Sequence, residues 1–242
     1  MERGELLLYG VLPYAAIAVF LVGHWWRYRT DQVGWTARST QILESRMLRV
    51  GSLAFHVGAL AAIGGHVLGI LVPASWTDSV GVNEDAYHVI SVIGGLTAGI
   101  AVVLGLLVLV YRRTTNHRVR RTTTRMDVAV FAMLAVAIVT GLWVTVLNAV
   151  DETHYREHVA PWFRGILTLD PQPERMAEAP LILQIHVTQV WFLYALWPFS
   201  RLVHVWSIPV DWFRRSPILY RSRGAAVGRP AGGRRPHAAS RR

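Results

Sequence analysis

The sequence has no cysteine and no lysine. Without thiols the chain can form no disulfide, ligate no iron–sulfur cluster and attach no haem covalently through C-x-x-C-H. Any cluster with which it exchanges electrons must belong to a partner. All 25 basic residues are therefore arginine, and all but Arg3 lie between long apolar runs or after the last one, so the formal charge of +10 describes loops and a tail. No base-reading motif or interleaved basic–aromatic platform accompanies that charge, which argues against nucleic acid as a partner. The apolar runs also lack internal Asp or Glu, so no carboxylate relay for pumping protons is visible.

What is present is apolar length. Five runs stand out: Leu6 to Trp26, Val50 to Val72, His88 to Val110, Asp127 to Leu147, and Leu181 to Phe199 with an extension to Trp206. Runs of about 20 residues, at ~1.5 Å per residue, match a hydrocarbon core roughly 30 Å thick. The expected fold is all-α, an integral membrane bundle of five transmembrane helices in contact with lipid. The first run lacks a basic leader and a small-residue cleavage site, since Glu2 and Glu5 flank Arg3, and it reads as a retained span.

Arginine alternates between the connections. The first carries Arg27, Arg29, Arg38, Arg46 and Arg49, the third carries Arg112, Arg113, Arg118, Arg120, Arg121 and Arg125, and the second, Pro73 to Tyr87, carries none. Basic connections face the cytoplasm, which places the N-terminus outside and the C-terminus inside. Trp25, Trp26, Trp76, Trp143, Trp162, Trp197, Trp206 and Trp212 fall mostly near run ends, where an indole suits the headgroup region. Residues 224–242 are rich in Gly, Pro and Arg and are expected to form a disordered basic tail, leaving 1–223 as the membrane domain.

Ionisable side chains within a span are costly and mark function. The second run holds His56 and His66 in FHVGALAAIGGH, and the fifth holds His186 in LILQIHVT and His204 in SRLVHVW. These two helices run in opposite directions, so depth pairs His56 with His204 and His66 with His186. The ten-residue step between the first two is ~15 Å of helix and the eighteen-residue step between the others ~27 Å. A bend near Pro198 must absorb part of the difference. Two axial imidazoles would leave a haem iron no open site, so each haem would relay electrons; four histidines at two depths do not converge on one tetrahedral zinc. Gly58, Gly64, Gly65 and Gly69 make the second helix slim, serving either haem insertion or helix packing. His24 and His117 read as interfacial or solvated, His154 and His158 as loop residues, and His88 sits at the outer face near where an outer haem would lie.

FHVGALAAIGGHVLGIL, RVRRTTTRMD and PFSRLVHVWSIPVDW make the chain, to about Arg223, resemble the gamma subunit of membrane-bound respiratory nitrate reductase, a dihaem cytochrome b. The resemblance implies a multi-pass subunit in the bacterial cell membrane. It implies that His56 and His204 ligate an inner haem b, and that His66 and His186 ligate an outer haem b beside which quinol is oxidised. Electrons would then pass from outer to inner haem, to an iron–sulfur beta subunit, and to a molybdenum-containing alpha subunit that reduces nitrate to nitrite in the cytoplasm.

Some members of that family place a lysine near the quinol pocket, and Ala86 offers no replacement here. His88 or Tyr87 is expected to give the quinol hydrogen bond, with Gly65 and Gly69 leaving room for the ring. Arg112, Arg113 and Arg201, at the inner helix ends, are candidates for haem propionates. The segments SIPVDWFRRSPILYRSR and RVRRTTTR are expected to dock the iron–sulfur subunit. The alternatives are a dihaem cytochrome b of a sulfite-reduction or heterodisulfide complex, and a haem-free anchor or transporter.

Overall fold

A computed structural model describes residues 3–31, 34–150 and 155–206. Five helices are long and apolar enough to cross a membrane: α1 (Arg3–Thr30), α2 (Arg46–Leu71), α3 (Glu84–Thr115), α4 (Arg125–Val150) and, after a shorter α5 (Tyr155–Leu167), α6 (Leu181–Phe199). There is no strand among the described residues. The chain is a multi-pass membrane protein. Its outward faces expose Leu21, Leu53, Leu60 and Val139, the inverse of a soluble surface, as hydrocarbon requires when every backbone polar group is satisfied within the helices.

The helices start and stop for local reasons. Asn83 caps α3 by accepting from the Ala86 amide at 2.9 Å, and Glu84 and Asp85 in the first turn complement the positive end of the helix dipole. At the other end Arg112 and Arg113 complement the negative end. The most extensive packing is α2 on α3. It depends on glycine at the contact: a Cβ on Gly58 would lie 2.9 Å from the Ala98 carbonyl oxygen, and one on Gly105 would meet the Phe55 backbone. These glycines serve helix packing. Helices α3 and α6 both pack on α4, and α6 also packs on α1. Helix α2, which carries His56 and His66, and helix α6, which carries His186, are not among the closely packed pairs.

The largest buried cluster joins Tyr9 and Ala16 of α1, Val159, Trp162 and Ile166 of α5, Met176 of the short helix Pro173–Ala177, and Leu183 and Trp191 of α6. Trp162, expected at the headgroups, is instead wholly enclosed by protein, and its Nε1 donates to the Tyr9 carbonyl at 2.8 Å. The fourth connection is therefore a packed part of the bundle.

The end of α6 accounts for the mismatch in histidine spacing. The helix passes into a 3₁₀ turn at Trp197–Phe199, Ser200 is extended, and a second 3₁₀ turn, Arg201–Val205, carries His204. Pro198 has no amide proton to continue the α ladder. The Ser200 hydroxyl donates to the Trp197 carbonyl at 2.8 Å and accepts from the Leu202 amide at 3.1 Å. Arg27 of α1, buried, donates to the carbonyls of Pro198 at 2.7 Å and Ser200 at 2.6 Å, satisfying acceptors released by the break.

Candidate functional site

His56 and His66 belong to one unbroken helix, about 15 Å apart along its axis. Each meets one histidine from the other end of the chain. The ring centroids of His56 and His204 are 5.8 Å apart, and those of His66 and His186 are 6.3 Å apart. These are the pairs that depth alone selects. Two imidazoles on opposite sides of one metal, at about 2 Å per metal–nitrogen bond, have ring centres about 6 Å apart.

All four rings are anchored through the same nitrogen. Nδ1 of His56 lies 2.7 Å from the Ser52 carbonyl, that of His66 2.6 Å from the Ala62 carbonyl, and that of His204 2.7 Å from the Arg201 carbonyl. Nδ1 of His186 lies 2.9 Å from the Thr140 hydroxyl, whose own hydrogen goes to the Val136 carbonyl at 2.7 Å. Each acceptor selects the Nδ1–H tautomer and leaves the lone pair on Nε2, the arrangement that orients a metal-binding histidine. Gly141 makes room for His186: a Cβ there would lie 3.0 Å from its ring. Among the described residues no three His, Cys, Asp or Glu side chains converge on a point, so the donors come as two opposed pairs. A haem with two axial imidazoles fits that donor set.

At the His56/His204 end two ion-pair knots close the bundle. Arg112 sends Nε to Glu44 at 2.5 Å, Nη1 to the Thr40 hydroxyl at 2.9 Å, and Nη2 to the carbonyls of Thr40 and Glu44 at 3.0 and 2.7 Å. It is 2% exposed. Four of its five N–H donors are thus engaged by Thr40 and Glu44 of the first connection, which leaves one for the haem carboxylate expected of it. Arg201 pairs with Asp127 through Nε at 2.5 Å and Nη2 at 2.7 Å, and also reaches the carbonyls of Arg38 and Thr122. Arg113 bonds the Thr123 hydroxyl at 3.0 Å and lies 3.8 Å from Asp127. Glu44 is held below the ordinary carboxylate value: desolvation opposes this, but the amides of Met47 and Leu48 and the Arg112 guanidinium outweigh it.

At the His66/His186 end, His88 Nε2 bonds the Asn148 carbonyl at 2.7 Å and so ties α3 to α4. Tyr87, buried, has its hydroxyl 2.9 Å from that of Tyr155. A Cβ on Gly69 would lie 2.8 and 3.0 Å from those two hydroxyls, so the space beside Gly69 belongs to the tyrosines; beside Gly65 nothing lies within 4 Å. His24, expected to be interfacial or solvated, is half-buried, with Nδ1 on the Phe20 carbonyl and Nε2 unpartnered. His117 is exposed and His158 lies 4.0 Å from Glu178. His154, Trp212, the SIPVDWFRRSPILYRSR segment and the tail lie outside the described residues.

Residues 5–223 match the family model described as nitrate reductase gamma subunit. The chain belongs to that family. It is 40% identical over 218 residues to the nitrate reductase gamma chain of Bacillus subtilis, covering 90% of this chain and 98% of that one. It is 30% identical over 226 residues to the respiratory nitrate reductase 1 gamma chain of Escherichia coli, covering 92% and 100%. Similarity to the nitrate reductase-like protein NarX of Mycobacterium tuberculosis reaches 47% over 227 residues, 93% of this chain, which spans only 35% of NarX. Within this gamma-subunit family member, sequence reasoning missed Thr140, Glu44, Arg27 and the pairing of Asp127. Asp127 alone carried a signal, as the acid that opens an apolar run.

Proposed function

We propose that this chain is the quinol-oxidising, dihaem cytochrome b subunit of a respiratory nitrate reductase. The observation that carries this is the pair of opposed imidazole couples, His56/His204 and His66/His186, each anchored at Nδ1 and each at the spacing two axial ligands need. His56, His204, His66 and His186 would hold haem there, and it would supply one-electron transfer. The chain's own part is to fix the two imidazole pairs at two depths.

Quinol is taken at the His66/His186 end, facing outward, and electrons leave at the His56/His204 end toward an iron–sulfur beta subunit and a molybdenum-containing alpha subunit. The landing surface for the beta subunit is a cleft of about 440 Å³ lined by Arg38, Ser39, Thr40, Leu43, Thr124 and Arg201, with Ile42 wholly exposed beside it. Arg201, three residues from His204, joins that surface to the inner pair. Because its neighbours are Asp127 and backbone carbonyls, Arg201 could offer a haem carboxylate only what those bonds leave. The RVRRTTTR and SIPVDWFRRSPILYRSR segments are the chain's further candidates for contact with that subunit.

The test is the b-type absorbance spectrum and redox titration of the purified complex and of each His→Ala variant. His56→Ala or His204→Ala should remove one haem, His66→Ala or His186→Ala the other. Loss shared across the pairs would overturn the assignment, and no b-type spectrum at all would favour a haem-free anchor. Menadiol should reduce the haems and acidify the outer medium during turnover with nitrate; release of protons only into the cytoplasm would refute the orientation.

A further inference from the structure

A haem between His66 and His186 would bring carboxylates as well as iron. Charge at mid-bilayer is costly, so those carboxylates belong toward the outer ends of α2 and α6, where they need cationic partners. The second connection offers none. Most of the basic side chains that the described residues bring to this end are already committed. Arg156 donates to Glu84 at 2.7 Å and to the Thr77 hydroxyl at 3.3 Å, with its guanidinium over the Tyr87 ring. Arg175 is bonded to the Gln172 side chain and the Glu157 carbonyl. Arg3 is exposed at the start of α1. His88 is bonded to the Asn148 carbonyl, and His158 lies beside Glu178.

Arg164, near the end of α5, is different. It is half-buried, and among the described residues its side chain makes one hydrogen bond, from Nη1 to the Ile70 carbonyl at 3.0 Å. A guanidinium is a planar fork of donors, so Nε and Nη2 keep theirs to offer. Neither nitrogen is sealed inside the protein. Ile70 stands one turn beyond His66 on the same face of α2, within the π-helical stretch Val67–Leu71. The backbone is extended at Val72, so the last carbonyls of α2 have no helical amide ahead of them. Arg164 serves one of these and sets its charge at the negative end of the helix dipole. Helix α5 packs on this turn, and Trp162, enclosed and bonded to the Tyr9 carbonyl, fixes α5 two residues before Arg164. The guanidinium is thereby held one turn outward of His66 with donors to spare.

We propose that Arg164 binds a carboxylate of the outer haem through the donors that the Ile70 carbonyl leaves free, and so ties α5 to the group held by His66 and His186. This rests on the reading of the chain as a dihaem cytochrome b. The arginines expected from the sequence to serve haem carboxylates, Arg112, Arg113 and Arg201, all lie at the opposite end of the bundle. The competing role for Arg164 is that of a helix cap alone, serving Ile70 and nothing else. The two roles differ in what the positive charge does. Beside a haem carboxylate, a fixed positive charge favours the iron that has gained an electron, and so raises the midpoint of that haem.

The experiment uses the whole complex and compares wild type with Arg164→Gln, Arg164→Lys and Arg164→Met. Transfer of haem to added apomyoglobin gives the release rate of each haem, and redox titration by absorbance gives each midpoint; the outer component is the one that His66→Ala lacks. Arg164→Gln keeps an N–H donor for the Ile70 carbonyl and removes the charge, so it separates the two roles. It should speed release of the outer haem about tenfold, the scale of one charge-assisted hydrogen bond, lower the outer midpoint, and leave the inner haem unchanged. Arg164→Lys should recover part of both effects. A cap alone predicts another pattern: release and midpoint in Arg164→Gln and Arg164→Lys equal to wild type, with a lowered Tm only in Arg164→Met, which loses the donor. That pattern would overturn the proposal and leave the dihaem reading standing. Absence of any b-type spectrum from the wild-type complex would overturn the dihaem reading itself.

Discussion

Arg201 grips Asp127 with two nitrogens, Nε at 2.5 Å from Oδ1 and Nη2 at 2.7 Å from Oδ2, and so bolts the 3₁₀ turn bearing His204 to the first turn of α4. The carboxylate is 4% exposed, and the Thr124 amide completes its shell at 2.9 Å. A bidentate pair sheltered in this way resists screening by solvent. Its geometric effect is to fix the residue three positions before His204.

Asp127→Ala should therefore cost about 3 kcal/mol of stability, the scale for stranding one partner of a buried pair. It should also loosen the inner histidine pair before the outer one. Redox titration of the variant checks this: one b-type component should broaden or vanish while the other keeps its midpoint. Equal loss of both would show that Asp127 supports the whole bundle and not the His204 turn.

Thr140 supports a different histidine. Its hydroxyl is the acceptor for His186 Nδ1, where the other three rings use a backbone carbonyl. Thr140→Val keeps the shape and removes the acceptor, and partners of this kind are worth about tenfold or more in metal retention. The expected outcome is lower occupancy of the outer haem, restored by Thr140→Ser. Haem-to-protein ratio after purification measures it, and an unchanged ratio in Thr140→Val would remove Thr140 from the site.

The five spans and the two histidine pairs were legible in the sequence because hydrocarbon thickness sets span length and depth sets which rings can meet. The charged knots were not. Arg112 and Glu44 are 68 residues apart and Arg201 and Asp127 74 apart, so nothing local announces either pair. Arginine position identifies a membrane side, and the partner depends on how the connections fold back. Helix α5 was not anticipated: Val159, Trp162, Phe163 and Ile166 fall at helical spacing, but Pro161 between them disguises the pattern. The break after α6 was expected at Pro198, whereas its brace, Arg27, lies 171 residues away.

Arg27 gives a prediction about that break. It donates to the carbonyls of Pro198, Ser200 and Gly34, and its removal would leave buried acceptors without donors. Arg27→Leu should cost about 2–3 kcal/mol. Because the break sets the approach of His204 but not of His186, inner haem occupancy should fall and outer haem occupancy should hold. Absorbance of the variant under stepwise reduction distinguishes the two. Retention of both haems with a wild-type Tm would show that the break stands without Arg27.

Glu44 supplies the pH-dependent contribution. Its carboxylate is held below the ordinary value of 4.5, so its stabilising effect is fully present above about pH 4.5 and is lost as pH falls through the lowered folded-state value. Protonation would remove the negative partner of Arg112, which is 2% exposed and has no water to turn to. The Tm of wild type should therefore exceed that of Glu44→Gln by a margin that is largest near neutral pH and narrows as pH is lowered below 4.5. Comparing the two across the range isolates Glu44 from the other carboxylates, which titrate in both proteins. A margin that stayed constant with pH would mean that the charge on Glu44 contributes nothing, and that Arg112 is held by Thr40 and the backbone alone.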